Sequence, residues 1–470
     1  MDGAAAGGSL RLAVPHPGLG RDNAIFADLL RSRAGQIGYN RKMREFLKKL
    51  VIFVLTWEAK LILKKYKPKI VAITGSVGKT STKDAVAKVL EAKFRVRKSQ
   101  KSYNSELGVP LAIIGAQTGW NSVLRWLSAI WQGVGIIVRR TPYPEILVLE
   151  VGVDRPGDIK AIRSWLEPDV AVVTTLADVP VHIEFFKSPE ELFAEKAELV
   201  KNLSPEKFVL LNFDDLEVMK MKDKTQAKII TFGFSEGSEF WGYEYELMFR
   251  EGTPEGIKFK VKNQNQEVPV KILNAFGRHQ VYPALAAIAA GKIFDIKLED
   301  AAETLSLYSP PPGRLKLVKG IKDTLILDDS YNSSPKALQA ALEVLGEIEA
   351  PRKIAVLGDM LELGKHTITA HRDLGRLAAA RINLLVTVGV RAKFFSEGAA
   401  KAGFKKRDIK SFSNSDEAGE GLLKIIKPGD LILVKGSQGI RMEKIVEKIM
   451  AEPEKKSELL CRQEPEWQNR

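Results

Sequence analysis

The stretch "KIVAITGSVGKTSTKDAV", residues 69–86, constrains the fold of this chain more than any other feature. A run rich in β-branched residues ends at Thr74, a turn bounded by Gly75 and Gly78 follows, and Lys79 begins a sequence of helical character. A strand, a glycine-bounded turn and a helix in this order are typical of P-loops, whose backbone N–H groups surround phosphate. The stretch therefore predicts an α/β domain with a phosphate site at the edge of its sheet.

The match to the P-loop pattern is relaxed, because Ile73 stands where the first glycine is expected, whereas Gly78, Lys79 and Thr80 match. We predict that the Lys79 ammonium contacts nucleotide phosphates and that the Thr80 hydroxyl binds Mg²⁺. The rest of the predicted phosphate site is Gly75, Ser76, Gly78 and Ser81.

Short apolar runs alternate with helical stretches from residue 69 onward, which indicates mostly parallel sheets covered on both faces. The predicted strands of the first half are residues 69–74, 145–151, 169–176, 207–212 and 228–234, followed by a β-rich patch at 256–261 and 268–273. Those of the second half are residues 324–329, 352–358, 383–389 and 430–436.

Three consecutive prolines at 310–312 divide these two halves, and 470 residues suffice for two to three domains. We therefore predict the α/β class, with a P-loop central domain at 69–308 and a Rossmann-like α/β domain at 309–450. Residues 1–68 are predicted to be a basic, partly disordered and partly helical region. Residues 451–470 are charged and are predicted to form a disordered tail.

The net charge of +14 and the single cysteine, Cys461, narrow the possible partners and compartment. One cysteine excludes a disulfide framework, which favours a cytoplasmic location. The positive charge fits nucleic acid, an anionic membrane surface or phosphorylated substrates. Because zinc spacing and an aromatic-basic RNA signature are missing from the sequence, we expect no nucleic-acid partner.

Two segments have some membrane character. The apolar run in residues 46–67 is far shorter than the ~20 residues that a spanning helix needs. Residues 119–140 carry three tryptophans and terminal arginines, as an interfacial helix would. We expect a pair of helices packed on the core, and peripheral membrane contact stays open as the alternative.

Two polar residues follow predicted strands at the edge where ligands bind in open α/β sheets. Glu150 ends the run "EILVLE", and a carboxylate there suits Mg²⁺, which prefers oxygen ligands. His182 follows the next strand in "ADVPVHIEFF" and is a second candidate ligand.

Motifs distributed over residues 57–450 resemble those of the Mur ligases. In chain order they are "ITGSVGKTSTKDAV", "SYNSELGVPLAI", "LVLEVGVDRPGDI", "VHIEFFKSPEELFAEKAEL", "PPGRLKLV", "LDDSYNSSPKALQAAL", "AVLGDMLELG" and "LVKGSQGIRMEKIV". The segments "DDSYNSSP" and "GDMLELG" resemble the branch that adds D-alanyl-D-alanine.

The resemblance implies ATP-dependent amide-bond synthesis for peptidoglycan, by a monomer acting on a UDP-N-acetylmuramoyl-tripeptide and D-alanyl-D-alanine. The acceptor carboxylate would take the γ-phosphoryl group of ATP, and the dipeptide amine would then displace phosphate. Such a reaction depends mainly on positioning and charge stabilisation.

The resemblance also implies roles for residues of the central domain. Lys79 would bind the phosphates, and Thr80 and Glu150 would hold one Mg²⁺. Asn104, in "SYNSELG", would lie near the phosphates and the substrate. His182 would belong to a second Mg²⁺ site.

Lys196, in "AEKAEL", matches a lysine that the family carbamylates, and a carbamate would offer oxygens to the second Mg²⁺ where an ammonium would repel it. From the residues alone it is a helix-surface lysine. In the second domain, Arg314 matches a hinge arginine that reaches ATP, and Asp329 matches an acid near the ribose, with Tyr331 and Asn332 beside it. Lys435 and Ser437 are candidates for contact with the dipeptide.

Two alternatives remain. Only 68 residues precede the P-loop strand, and no domain for the UDP-sugar is recognisable in them, so the chain is expected to be an atypical member with a short N-terminal region. A Mur-type ligase acting on a different carboxylate is therefore one alternative. A nucleotide-dependent, membrane-associated binding module is the other.

Overall fold

The computed structural model describes residues 41–100, 103–119, 122–180 and 182–468. The expectations for residues 1–40 lie outside these ranges. The described chain forms two sheets, one in each half, with helices packed on both faces of each sheet. The mixed α/β class, with a mostly parallel first sheet and a second C-terminal sheet, is confirmed.

The first sheet has nine strands: β1 (Lys69–Thr74), β2 (Val96–Lys98), β3 (Ile146–Glu150), β4 (Val170–Val173), β5 (Phe208–Asn212), β6 (Lys228–Gly233), β7 (Phe240–Arg250), β8 (Thr253–Asn263) and β9 (Gln266–Leu273). Their spatial order is β2-β3-β1-β4-β5-β6-β7-β8-β9. Neighbours from β2 to β7 pair in parallel, and β7, β8 and β9 pair antiparallel. The carboxyl ends of β3, β1 and β4 therefore lie side by side.

The helices of this half are α1 (Arg41–Tyr66), α2 (Lys79–Leu90), α3 (Gly108–Ile114), α4 (Val123–Val138), α5 (Asp158–Arg163), α6 (Pro189–Ala197), α7 (Leu216–Met219), α8 (Val281–Ile293) and α9 (Leu298–Ser306). They pack in two layers, because successive side chains of a strand point to opposite faces. On β1, Ile70 and Ala72 pack in one buried cluster, and Val71 and Ile73 pack in the other.

The second sheet has strands β10 (Lys316–Gly320), β11 (Thr324–Asp329), β12 (Arg352–Gly358), β13 (Leu384–Val388), β14 (Ile409–Phe412) and β15 (Asp430–Lys435). Their order is β10-β11-β15-β12-β13-β14, and all pairs except the antiparallel β10–β11 pair are parallel. Its helices are α10 (Pro335–Glu347), α11 (Thr367–Ala379), α12 (Lys393–Lys401), α13 (Ser415–Ile425), α14 (Glu443–Ile449), α15 (Lys456–Leu459) and α16 (Pro465–Gln468).

The prediction that the tail is disordered is wrong for its described part, residues 451–468. The Arg462 guanidinium is buried and donates to the Glu443 carboxylate at 2.6 Å, the Ser330 carbonyl at 2.7 Å and the Tyr331 carbonyl at 2.8 Å. Three acceptors offset the cost of removing this charge from water. Cys461 beside it is buried as well, so the tail is part of the second domain's packing.

The two segments with membrane character form α1 and α4, which pack against each other and against the core. A Cβ atom at Gly133 would come within 2.2 Å of Glu58 Oε2, so the two helices touch at this point. The Lys65 ammonium donates to the Ile136 and Ile137 carbonyls, both at 2.9 Å, and thereby caps the C-terminal end of α4. None of the described helices is both long and apolar enough to cross a bilayer.

The contact between α1 and α4 buries Glu58, whose carboxylate oxygens have no hydrogen-bond partner among the described residues. Burial raises the pKa of Glu58 from 4.5 to about 7. The folded chain thus keeps a proton that the unfolded chain releases, so this carboxyl reduces stability as pH rises from 4.5 towards 7.

We expect Glu58→Gln to remove that pH dependence. Relative to the parent, its free energy of unfolding should rise by on the order of 3 kcal/mol between about pH 5 and pH 8, since each pKa unit corresponds to ~1.4 kcal/mol. Urea unfolding of both proteins at several pH values measures the difference. A parent and a variant with parallel pH profiles would show that Glu58 titrates normally in the folded chain.

Candidate active site

The turn after β1 requires glycine at two positions. Gly75 has φ +145°, and a Cβ atom there would lie 2.0 Å from Thr174 Oγ1. Gly78, the N-cap residue of α2, has φ +86°. Both values lie where L side chains are strained. The turn therefore lets the chain fold tightly against the end of β4 and directs the amino end of α2 towards the sheet edge.

This turn fits a phosphate group. The first N–H groups of a helix lack intrahelical partners and attract anions, and Gly78 has no side chain with which to cap them. Ser76 Oγ is shielded from water and has no hydrogen-bond partner among the described residues. A buried hydroxyl without a partner in such a turn is suited to an anionic ligand.

Two lysines point at the same atom of the turn. The Lys79 and Lys196 ammonium groups each donate to the Gly75 carbonyl, both at 3.0 Å. Lys196, from α6, is buried, so the interpretation of it as a surface lysine is wrong. Burial, and next the neighbouring charge of Lys79, hold the pKa of Lys196 well below its ordinary value. The neighbouring Glu195 accepts the Gly157 and Ile159 N–H groups instead of pairing with Lys196.

Glu150, at the carboxyl end of β3, is buried and accepts hydrogen bonds from two side chains of the site. Thr80 Oγ1 donates to Glu150 Oε2 at 3.0 Å, and Asn104 Nδ2 donates to Oε1 at 3.1 Å. The Ser99 hydroxyl accepts the Glu150 N–H at 3.1 Å and helps to fix the strand end. Gly152 allows Asn104 to approach, since a Cβ atom there would lie 2.7 Å from the amide.

The Thr80–Glu150 pair fits one Mg²⁺ ion, because Mg²⁺ binds one or two protein oxygens and takes its other ligands from water and phosphate. Among the described residues, no three His, Cys, Asp or Glu side chains are grouped as a ready metal site. A second ion therefore does not fit the residues in their unmodified form, since Lys196 presents nitrogen rather than oxygen.

His182 belongs to the central domain and lies where that domain faces the second one, with φ +72°. Its Nε2 atom is 3.5 Å from Asp154 Oδ1, and its Nδ1 atom is 2.9 Å from Glu362 Oε2, although that second pair is not aligned as a hydrogen bond. Neither carboxylate was singled out in the sequence. Asp154 stands in the motif "LVLEVGVDRPGDI" and Glu362 in the motif "AVLGDMLELG". Membership in these motifs was the only sequence feature that could have indicated the two residues.

Arg314 links the second domain to the first turn of α2. Its Nη2 atom donates to Thr80 Oγ1 at 3.3 Å, and its guanidinium stacks 4.1 Å from the centre of the Tyr331 ring. The stacking holds a flexible side chain in place. The hinge arginine is thus already in contact with the P-loop.

Asp329 and Lys435 form a buried ion pair at 2.6 Å, and Lys435 also donates to the Asn332 carbonyl at 2.9 Å. Burial raises the pKa of Asp329 and lowers the pKa of Lys435. Lys435 is thus held inside the second domain. The Ser437 hydroxyl accepts the Leu361 N–H at 2.9 Å.

A cleft of about 1120 Å³ separates the two domains. The predicted site residues that line it are Thr80, Asn104, His182, Arg314, Asn332 and Ser437. Asp329 and Lys435 lie behind the wall of the cleft. The tail also contributes, through Leu460, Arg462 and Trp467, and nothing in the tail's sequence indicated this position.

A P-loop at the edge of one α/β sheet, faced across a cleft by an arginine from a second α/β domain, defines a two-domain enzyme that uses a nucleotide. The sequence matches two family models, the Mur ligase middle domain at residues 73–123 and 137–291 and the Mur ligase glutamate ligase domain at residues 313–438. The chain belongs to the Mur ligases, ATP-dependent enzymes that form amide bonds.

Curated relatives share the name UDP-N-acetylmuramoyl-tripeptide–D-alanyl-D-alanine ligase. The one from Bacillus subtilis is 31% identical over 397 residues, which are 84% of this chain and 79% of the relative. The one from Mycobacterium tuberculosis is 30% identical over 404 residues, which are 82% of this chain and 73% of the relative.

Solved structures share the fold. MurF from Acinetobacter baumannii superposes with a TM-score of 0.70 at 24% identity, covering 84% of this chain and 79% of that one. MurF ligase from Thermotoga maritima, in complex with ADP, gives a TM-score of 0.69 at 24% identity, covering 86% and 84%.

Proposed function

We propose that this chain uses ATP to join D-alanyl-D-alanine to a UDP-N-acetylmuramoyl-tripeptide in peptidoglycan precursor synthesis. The names of the relatives support the choice of substrates. The observation that carries the proposal is the contact of Arg314 with Thr80, because it brings the second domain onto the phosphate site.

When bound, ATP would supply a γ-phosphoryl group to the acceptor carboxylate, and the dipeptide amine would displace phosphate from the acyl phosphate to form the amide. The chain's task is to bring two anions together. Lys79 and Arg314 place positive charge on the P-loop from opposite domains, which stabilises the charge that develops during transfer.

Thr80 and Glu150 would hold one Mg²⁺, which supplies electrostatic stabilisation at the phosphates. Asn104 keeps the Glu150 carboxylate oriented through Nδ2. Asp329 is proposed as the acid near the ribose of the nucleotide, with Asn332 of the cleft wall beside it.

Lys196 is proposed to be carbamylated and to form a second Mg²⁺ site with His182. The reaction of a neutral amine with CO₂ forms an N–C bond and releases a proton, and the lowered pKa of Lys196 supplies the neutral amine. The product is an anion, so it would attract the neighbouring Lys79 ammonium, whose charge disfavours the protonated form of Lys196. It would also provide the oxygens that the unmodified residue lacks.

The proposed domains are 69–308 for ATP binding and 309–450 for the second α/β domain. The N-terminal region contributes α1, which packs on the central core. We propose that the enzyme acts as a monomer.

The test is phosphate release from ATP with the UDP-N-acetylmuramoyl-tripeptide and D-alanyl-D-alanine, each omitted in turn. We expect release to require both and to match the amide formed one to one. Replacing the dipeptide by D-alanine controls for non-specific amines. Comparable rates with acceptors that lack the UDP-sugar would assign the enzyme to a different carboxylate and overturn the proposed substrate.

A further inference from the structure

Two packed helices expose large apolar side chains to solvent. On α1 they are Leu50, Phe53 and Trp57. On α4 they are Val123, Leu124, Leu127, Trp131 and Val138. We call these eight residues the apolar face. Within each helix most of them recur at spacings of three, four or seven, so they form stripes rather than scattered exposures.

Both stripes face away from the same core. The opposite side of α1 buries Leu55, Ala59 and Ile62, and that of α4 buries Trp126 and Ala129, all in one cluster. The helices touch at Glu58 and Gly133 and are tied at their C-terminal ends by Lys65. The two stripes therefore lie on the outer sides of two neighbouring helices of the central domain.

The exposed charges on the two helices themselves have one sign, while Glu106 of a neighbouring turn lines a groove with Phe53 and Trp57. Among the described side chains of α1 and α4, and in the two residues that follow α4, every exposed charged group is basic: Lys49, Lys60, Lys64, Lys65, Arg125, Arg139 and Arg140. Arg125 pairs with Glu466 of the tail, and Lys65 caps α4. Glu58 is buried between the helices.

We propose that the apolar face docks on the surface of an anionic phospholipid bilayer. Tryptophan and leucine side chains surrounded by lysine and arginine are the composition of helices that lie in the bilayer interface. The basic groups would approach the phosphates of acidic lipids while Phe53 and Trp131 enter the headgroup boundary. The face is separate from the cleft, because none of its eight residues lines that cavity.

This choice of occupant rests on charge complementarity. In a symmetric dimer the same patch lies on both sides of the contact, so the basic residues of one copy would face the basic residues of the other and repel them. A bilayer containing acidic lipids offers apolar and negative groups over an extended area.

The experiment is sedimentation of the full chain with vesicles of phosphatidylcholine alone and with vesicles of phosphatidylglycerol and phosphatidylcholine in equal amounts. We expect binding to the acidic vesicles, little to the neutral ones, and release as salt is raised. The double variant Phe53→Ser, Trp131→Ser should lower the bound fraction at least about tenfold, because it removes two large apolar contacts.

The matched control is Leu216→Ser, Val390→Ser, which removes two exposed apolar side chains elsewhere on the chain and should bind as the parent does. ATP turnover and thermal unfolding verify that both double variants are folded. Equal binding of parent and Phe53→Ser, Trp131→Ser would overturn the proposal. The proposal would also be overturned if the parent bound neither kind of vesicle, which is the result expected if residues 1–40 or another protein cover the face. Dimerisation of the parent through the face in solution would overturn it as well.

Discussion

Replacing Lys79 by alanine is expected to lower ATP turnover by at least about 10²-fold, because its ammonium is the cation that the P-loop itself places at the proposed phosphate position. The side chain is held by the Gly75 carbonyl at 3.0 Å, so its charge is positioned before the nucleotide arrives. Preorganised charge stabilises a transition state without reorganisation during the reaction. The measurement is kcat and KM for ATP in the dipeptide-dependent assay.

Lys88→Ala is the matched control. Lys88 lies on the same helix, in its last turn, far from the phosphate turn. It should keep near-parental turnover, and both variants should unfold close to the parental temperature. If Lys79→Ala were as active as Lys88→Ala, the turn after β1 would not be the phosphate site.

The P-loop was predictable because its signals are local. A β-branched run, two glycines and a lysine occupy eleven consecutive positions, residues 69–79, and β1 has the predicted bounds. Strands β11 and β12 were predicted with their bounds for the same reason. Strand β7 was not predicted, although its alternating aromatic and charged side chains are a strand pattern, and it pairs mainly with the antiparallel β8.

Residues that act through tertiary contacts were harder to place. Lys196 and Glu195 are adjacent on α6, yet Lys196 is buried on the P-loop whereas Glu195 accepts backbone N–H groups around the start of α5. The sequence shows one lysine beside one glutamate, and a helix-surface lysine is the simple interpretation. Arg462 was assigned to a disordered tail because its partner Glu443 is nineteen positions earlier in the chain. Neither the contact of Lys196 with the P-loop nor that of Arg462 with Glu443 follows from a repeating pattern in the sequence.

Lys196→Ala is expected to abolish most ligase activity while ATP binding is largely kept, since Lys79, Thr80 and Glu150 remain in place. The neutral amine is the form that reacts with CO₂, and the lowered pKa of Lys196 favours that form. If the carbamate holds the second Mg²⁺ with His182, its loss should reduce turnover by orders of magnitude. Small carboxylates in the buffer should partly restore activity by occupying the vacated position.

Lys201→Ala is the control for this prediction. Lys201 follows α6, is half-exposed and pairs with Glu198 at 3.0 Å, and such surface pairs contribute only ~0–1 kcal/mol. Its removal should leave turnover nearly unchanged.

A readout independent of activity is nuclear magnetic resonance after exposure to isotopically labelled bicarbonate. A carbamate signal is expected in the parent and in Lys201→Ala, and none at that position in Lys196→Ala. A parent without the signal, or Lys196→Ala with near-parental activity, would leave the P-loop site intact and rule out the carbamate. The resonance signal and ATP binding together separate the metal chemistry from the fold. Lys196→Ala should lose the carbamate signal and still bind ATP at the turn after β1.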